Sequence, residues 1–243
     1  MELSIVIPCY NENGRIGNTI EKILKYLLLK KKKTEIIFVN DGSTDETEII
    51  IKNAIKKTDR NKIIYAKIVN YTTNRGKGYA IRQGIQKASG KYILLCDADL
   101  STPITELDKL KKYISKYDLV IGSRKQKDSS VVKAQSPTRE LLGKSYSFLS
   151  KIILGVNIND FTCGFKLLEK NKAKTIARKM TIARWGYDSE MLKIATFLKY
   201  KIKEVGVIWK NDEKTKVKLS HDIFSSFYDL IRIFTNSVLR RYD

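Results

Sequence analysis

Asp97 and Asp99 stand one residue apart, directly after the apolar run at 92–96. Two carboxylates so spaced can face one cleft where the chain turns. Their oxygens suit a hard divalent cation such as Mg2+ or Mn2+, which keeps waters and takes diphosphate oxygens as further ligands. A cation held there would neutralise charge on a departing nucleoside diphosphate. The same spacing also arises as a helix N-terminal acid pair, so its surroundings decide its meaning. Gly76-Lys77-Gly78 is a second candidate, since two glycines ahead of a helix let a backbone approach a phosphate closely. Lys77 is followed by Gly78 and Tyr79, so the Walker pattern is absent and an ordinary strand-to-helix turn explains the glycines equally well.

The elements that must position these groups alternate along the first half. Apolar, β-branched runs occur at 3–7, 35–39, 63–69, 92–96 and 118–121, with helical apolar spacing at roughly 15–30, 44–58, 78–88 and 104–115. This order means βαβ units, hence an α/β fold with a mostly parallel sheet flanked by helices. Ligands of such sheets bind outside the carboxyl ends of the strands. Four polar clusters fall at consecutive strand ends: Pro8-Cys9-Tyr10-Asn11-Glu12, Asn40-Asp41-Gly42-Ser43, Asn74-Arg75-Gly76-Lys77-Gly78 and Asp97-Ala98-Asp99. Together they predict one shared cleft.

The second half is less regular. Residues 123–137 are polar without periodicity and read as a mobile loop; 138–154 and 187–199 read as helices, and 202–208 as a strand. The stretch at about 222–240 places Ile223, Phe224, Phe227, Leu230, Ile231, Phe234 and Val238 on one broad face, with Arg232, Arg240 and Arg241 in or beside it. No repeat or Pro/Gly/Ser-rich linker divides the chain. The expectation is one domain over 1–243, with a nucleotide-binding half at 1–122 and an acceptor half at 123–243.

Hydrophobic residues make up 42%, enough for a real core, which excludes disorder. The net charge of +21 points to a polyanionic neighbour: nucleic acid, an anionic membrane or phosphorylated substrates. Many lysines stand singly on solvated helix faces, and Lys30-Lys31-Lys32-Lys33 falls at a helix end that suits cations. Cys9, Cys96 and Cys163 are far apart and His221 is the single histidine, so a Cys/His zinc site of ordinary spacing is absent. Cys9 and Cys96, at the ends of apolar runs, read as small buried residues, and the odd, low count suits a reducing cytosol. No run approaches the ~18 apolar residues of a membrane span, and the strand-like start at Leu3-Ser4-Ile5-Val6-Ile7 is not a secretion signal.

Ser4 through Glu12 resembles the opening strand of family 2 glycosyltransferases of the Rossmann-like GT-A fold. Val39-Asn40-Asp41-Gly42-Ser43-Thr44-Asp45, Asn74 through Ala80, and Asp97-Ala98-Asp99-Leu100-Ser101-Thr102-Pro103 resemble their next three motifs, in the same order. Further on, Gly122-Ser123-Arg124, Arg139-Glu140-Leu141-Leu142-Gly143, Asp160 through Lys166 and Arg184 through Glu190 are similar to dolichyl-phosphate β-glucosyltransferases, and more loosely to dolichyl-phosphate mannose synthases. The eukaryotic glucosyl enzymes usually begin with a membrane helix, which residues 1–243 lack.

The resemblance implies roles. Asp41 would hold a uridine base, with Pro8, Tyr10 and Glu12 lining the nucleotide pocket and Lys77 helping to hold that region. Asp97, Ala98 and Asp99 would carry base or ribose contacts, and the two acids the Mg2+ or Mn2+ ion. A phosphate acceptor is largely a dianion at neutral pH and needs no general base. It needs cations, and Arg124 and Arg139 are the candidates, since guanidinium forks phosphate oxygens bidentately. Asp188 and Glu190 occupy the place where many relatives put a base; they are candidates for that role, for sugar hydroxyls beside a stacking Trp185, or for simple first-turn acids.

The implied reaction is inverting transfer of glucose from UDP-glucose to a polyprenyl (dolichyl) phosphate, giving a β-glucosyl lipid phosphate. Mannosyl transfer from GDP-mannose, or a hydroxyl acceptor served by a base, remains open. A nucleic-acid partner is not expected, since aromatic-basic recognition patterns and a helix-turn-helix signature are missing. The helix at 138–154 and the terminal amphipathic stretch are candidates for a membrane interface, although packing of both on the sheet is the ordinary alternative. The expected location is cytoplasmic, peripheral at the cytosolic face of a membrane.

Overall fold

The β-branched runs that form the inner strands of the first half are buried, as strands covered on both faces must be, whereas the run at 63–69 forms a partly exposed edge strand. In a computed structural model, β1 (Leu3–Cys9) and β2 (Thr34–Asp41) have no exposed residue. Residues 1–58, 62–134, 136–212 and 219–243 are described, with side chains for all of these except 219–224. His221, Ile223 and Phe224 therefore lie outside the described side chains. β3 (Ile64–Tyr71), β4 (Tyr92–Leu95), β5 (Leu119–Ser123), β7 (Lys166–Glu169) and β8 (Ile202–Gly206) complete a sheet of order β3-β2-β1-β4-β7-β5-β8.

The connections are α1 (Ile16–Lys30), α2 (Thr47–Thr58), α3 (Lys77–Lys87) and, after a 3-10 turn at Ile104–Glu106, α4 (Leu107–Lys111). In α1, Ile16, Ile20, Ile23 and Leu27 recur at helical spacing and are all buried. The chain builds β1, β2 and β3 outward, then crosses back to lay β4 on the other side of β1. Strand order therefore reverses beside β1. The loops after β1, β2 and β4 surround the crevice that such a reversal opens.

The second half inserts its strands into the same sheet. β7 runs antiparallel to both β4 and β5, while β8 is parallel to β5. α5 (Pro137–Leu154), α6 (Lys170–Lys179), α7 (Tyr187–Phe197) and α8 (Leu219–Val238) follow. One apolar layer joins Val6 and Ile37 to Leu168, Met191 and Leu230, and the other joins Ile5 and Phe38 to Phe165 and Val205. Both layers thus draw on both halves of the chain.

Two expectations need correction, and two elements were not foreseen. Residues 123–137 are not merely a loop, because they hold β6 (Ser130–Lys133), which pairs in parallel with β9 (Ile208–Lys210). All four β6 residues are exposed, so no apolar alternation marks it. The single strand expected at 202–208 is two, since the chain leaves the main sheet after Gly206 and joins β6. β7 and α6 escaped the periodicity because β7 is only four residues long and α6 is almost wholly polar outside Ala173, Ile176 and Ala177.

The edge of the sheet away from the crevice is fastened by one acid. Glu35 is 4% exposed and accepts bonds from Ser4 Oγ, the Ser89 and Gly90 amides, Ser89 Oγ and Lys67. It ties β1, β2, β3 and the approach to β4 together. Burial alone would raise its carboxyl, but the bonds from Ser4, Ser89 and Lys67 outweigh this and hold its pKa at about 2. A lowered acid contributes stability that is complete above its unfolded pKa, about 4.3, and is lost as pH falls toward the folded value. Glu35→Gln is expected to lose about 2 kcal/mol at pH 7 in urea unfolding, with the gap to wild type narrowing as pH is lowered through that window.

Candidate active site

The four strand-end clusters do converge. A cavity of about 1460 Å³ opens at the carboxyl edge of the sheet, and its wall includes Pro8, Tyr10, Glu12, Asp41, Lys77, Asp97, Ala98, Asp99, Arg124, Arg139, Trp185 and Asp188. Every site residue expected from sequence except Glu190 lies on it.

At one end stand the loops after β1 and β2. Asp41 is 3% exposed, and its carboxylate accepts the amides of Arg75 (2.8 Å) and Gly76 (2.9 Å) and the side chain of Asn74 (3.0 Å). Burial raises its pKa, and bonds from the Arg75 amide, Tyr71 and the Gly76 amide only partly offset the rise. Asp41 therefore shapes the loop leading into α3 as well as facing the cavity. Gly76 has φ +99, and a Cβ there would stand 2.5 Å from the Ala183 carbonyl; at Gly78 one would stand 2.5 Å from that of Ile182. The glycines admit that strand of backbone, so the turn reading of Gly76-Lys77-Gly78 holds.

Arg15 was not singled out by sequence. It begins where α1 begins, grips the Glu12 carboxylate, reaches Asp212 at 3.0 Å and stands 4.0 Å from Asp99. Its signal was an arginine three residues after the acid of a strand-end cluster. Asp212, distant in the chain and outside any motif, had none.

The carboxylate pair sits on a sharp turn. The Leu100 amide bonds back to the Asp97 carbonyl at 3.2 Å, and Leu100 takes a left-handed φ of 49°. Asp99 accepts the Ser101 amide at 2.8 Å. Their side chains remain 31% and 23% exposed. Burial pushes Asp97 up, but Lys77, at 2.6 Å, outweighs it and holds the carboxyl below its usual range. Asp99 is raised, first by burial and then by Asp97. The donors are all oxygen, and both acids open on one cavity. That set fits a hard divalent cation. Among the described residues no third His, Cys, Asp or Glu completes a cluster, so water and substrate oxygens would supply the other ligands.

The opposite end is cationic. Arg124 forks onto Asp160 through Nε (2.8 Å) and Nη2 (2.7 Å), its amide joins the same carboxylate (2.9 Å), and Nη2 also reaches Thr162 (2.7 Å). Its guanidinium lies over the Trp209 ring, 5.2 Å from the centroid. Asp160 is fully buried; Arg124 overcomes that burial and holds its carboxyl well below the usual range. Arg139, in the first turn of α5, shares this wall with Lys125 and Lys144.

Asp188, in the first turn of α7, is 6% exposed and bonds to the buried Lys166. Burial raises its carboxyl, with Lys166 and then Lys77 pulling the other way. The Lys77 ammonium lies 5.5 Å from the Trp185 ring centroid. Glu190 corrects the sequence reading. It has no exposure and lies off the cavity wall, accepting the Thr181 and Ile182 amides, Thr181 Oγ1 and the Tyr242 hydroxyl. It fastens the 181–182 backbone and the C-terminus, and no lone pair is turned to substrate.

The model of glycosyl transferase family 2 matches residues 4–177. The dolichyl-phosphate beta-glucosyltransferase of Homo sapiens is 32% identical over 228 residues, covering 89% of this chain and 69% of the relative. One from Trichomonas vaginalis is 34% identical, covering 95% and 72%, and that of Saccharomyces cerevisiae is 32% identical, covering 95% and 73%. Among solved structures, glucosyl-3-phosphoglycerate synthase from Mycobacterium tuberculosis with uridine diphosphate superposes with a TM-score of 0.70 at 18% identity, over 96% of this chain and 80% of that one. The same enzyme with Mn2+, UDP-glucose and phosphoglyceric acid gives 0.69 at 17% identity, with the same coverage. These structures establish the fold.

Glu190→Gln separates scaffold from catalyst. It should lose roughly 2–3 kcal/mol in chemical unfolding, while nucleotide binding by the folded fraction, measured calorimetrically, stays within about twofold of wild type.

Proposed function

This chain belongs to glycosyl transferase family 2, and we propose that it transfers glucose from UDP-glucose to a polyprenyl phosphate, yielding a β-glucosyl lipid phosphate with inversion. The observation that carries this reading is one cavity with two anionic-ligand ends. An acid pair suited to a divalent cation stands at the nucleotide end, and an arginine braced by a buried aspartate at the other. Three dolichyl-phosphate beta-glucosyltransferases at 32–34% identity over most of the chain support the choice of sugar and acceptor.

In this reading Pro8, Tyr10, Glu12 and Asp41 line the nucleotide, and Lys77 with Trp185 borders the donor. Mg2+ or Mn2+ at Asp97 and Asp99 would supply charge neutralisation for the departing diphosphate. Arg124 and Arg139 orient the acceptor phosphate. Two N–H groups on Arg124 Nη1 are not used by Asp160 or Thr162. The acceptor oxygen arrives already ionised. Asp188 is engaged by Lys166, which suits an oriented acceptor for sugar hydroxyls better than a proton-abstracting base.

We also place the protein at the cytosolic face of a membrane. No helix among the described residues is long and apolar enough to cross one. α5 and α8 pack together, with Tyr146 edge-on to Phe227 at 5.7 Å. Their inner residues are buried, yet Leu141, Phe148 and Ile152 of α5 and Tyr228, Ile231 and Val238 of α8 are each at least 60% exposed. Such outward apolar faces, with Arg232, Arg240 and Arg241 exposed nearby, suit the acyl boundary of an anionic leaflet. Buried free cysteines suit the reducing side.

Two experiments test the proposal. The protein, a polyprenyl phosphate and Mg2+ or Mn2+ should form glucolipid from UDP-glucose in preference to GDP-mannose; a chelator should stop it, and Asp99→Asn should reduce it by at least about a hundredfold. The double substitution Phe148→Glu with Ile231→Glu should abolish co-sedimentation with anionic vesicles, while transfer to a short, water-soluble polyprenyl phosphate persists.

A further inference from the structure

Lys166 opens β7 and has no solvent exposure. A buried ammonium is tolerated only where partners replace its lost hydration. Lys166 has two: the Cys163 carbonyl at 2.6 Å and the Asp188 carboxylate. Its β7 neighbours Leu167 and Leu168 are fully buried apolar residues. An apolar side chain at 166, with a neutral one at 188, would serve packing as well or better, since a buried ion pair seldom outperforms a packed apolar pair. What the pair secures is the place of Asp188.

The surroundings say what that placement serves. Lys166 is off the cavity wall, whereas Asp188, Cys163, Gly164 and Phe165 are on it. Lys77 lies between the two acids, bonded to Asp97 at 2.6 Å and attracted by Asp188. Asp97, Lys77, Asp188 and Lys166 thus alternate in sign from the cation corner into the core. Asp188 is the one acid of this series that neither belongs to the 97/99 pair nor faces the nucleotide loops. It shares its segment with Trp185, on the wall where a donor sugar would lie.

We infer that Lys166 is a positioning residue for donor-sugar recognition, holding the Asp188 carboxylate from behind the cavity wall as a fixed acceptor for sugar hydroxyls. This rests on the sugar-nucleotide donor proposed above. Lys166 touches no substrate. It acts by denying Asp188 other rotamers and by balancing its charge, so that Lys77 stays with Asp97.

The test compares UDP with UDP-glucose. Calorimetric titration in Mn2+ is carried out on wild type, Lys166→Met, Asp188→Asn and the double variant. UDP affinity should stay within about twofold in all four. UDP-glucose affinity should fall about tenfold in each single variant and no further in the double, as for two groups acting as one unit. In transfer assays the loss should appear in KM for UDP-glucose. Equal weakening of UDP and UDP-glucose, or losses that multiply in the double variant, would overturn the inference. So would a wild type that binds the two ligands alike. If Lys166→Met shows no cooperative thermal transition, Lys166→Gln, which keeps a donor for the Cys163 carbonyl, carries the same comparison. Failure of transfer to polyprenyl phosphate with the binding pattern intact would remove the acceptor assignment and leave this one standing.

Discussion

Charge taken out of water must be matched, and this requirement organises the molecule more than any other. Open α/β sheets gather polar side chains at one edge, and here that edge holds Glu12, Asp41, Asp97, Asp99 and Asp188 in a single cavity. Unmatched, these acids would be protonated or would force the walls apart. Cations are interleaved instead. Arg15 stands against Glu12 and Asp212, Lys77 against Asp97, and Lys166 against Asp188. Asp99, 4.0 Å from Arg15, is still pushed up by burial and by Asp97. On the proposed reading, a cation arriving with its substrate would relieve the repulsion between these two carboxylates.

The antiparallel strand β7 makes this matching possible. Because it runs against β4, its first residue, Lys166, pairs with Leu95 at the last position of β4. The segment before β7 therefore falls at the cavity edge of the sheet, beside the acid turn. A parallel strand would have started at the other edge, with Glu35. The approach is close: a Cβ on Gly164 would sit 2.2 Å from an Asp97 oxygen. A residue without a side chain lets the second half of the chain lean on the Asp97–Asp99 turn, so Gly164 shapes the cavity although it carries no chemistry.

This also explains what could be read from sequence. Parallel strands announce themselves here as continuous apolar runs, and the five in the first half lie within a few residues of where periodicity puts them. The strand-end clusters followed from the same logic, since a parallel sheet places successive strand ends together. β7 and β6 did not announce themselves. Lys166-Leu167-Leu168-Glu169 is too short for a pattern, and β6 is exposed on every residue. Glu190 misled because first-turn acids look alike in sequence. Asp188 and Glu190 are two positions apart on α7, roughly 200° around the helix, so one faces the cavity while the other faces Thr181 and Tyr242. Lys166 and Arg15 were hidden for the opposite reason. In a chain this rich in basic residues, a lysine that matters resembles the many that do not.

Arginine rather than lysine at position 124 follows from the same balance. In the acceptor-binding role proposed for it, a cation for a mobile phosphate must stay put when the phosphate is absent, which requires a permanent partner, yet must keep donors to offer. Lysine has one nitrogen, and a buried aspartate would claim its whole charge. Guanidinium spreads five N–H groups over a rigid plane. Asp160 and Thr162 take the Nε and Nη2 side, Trp209 supports the face, and Nη1 is left for a ligand. Asp160 is in turn held by the Glu204-braced loop, whose carboxylate accepts the amides of Asn159 and Asp160 at 3.0 Å each. The fork is thus anchored through the 159–160 turn to β8, a strand at the edge of the main sheet. An acceptor phosphate would meet a cation whose orientation was set when the sheet folded, so little ordering remains to be done at the moment of binding.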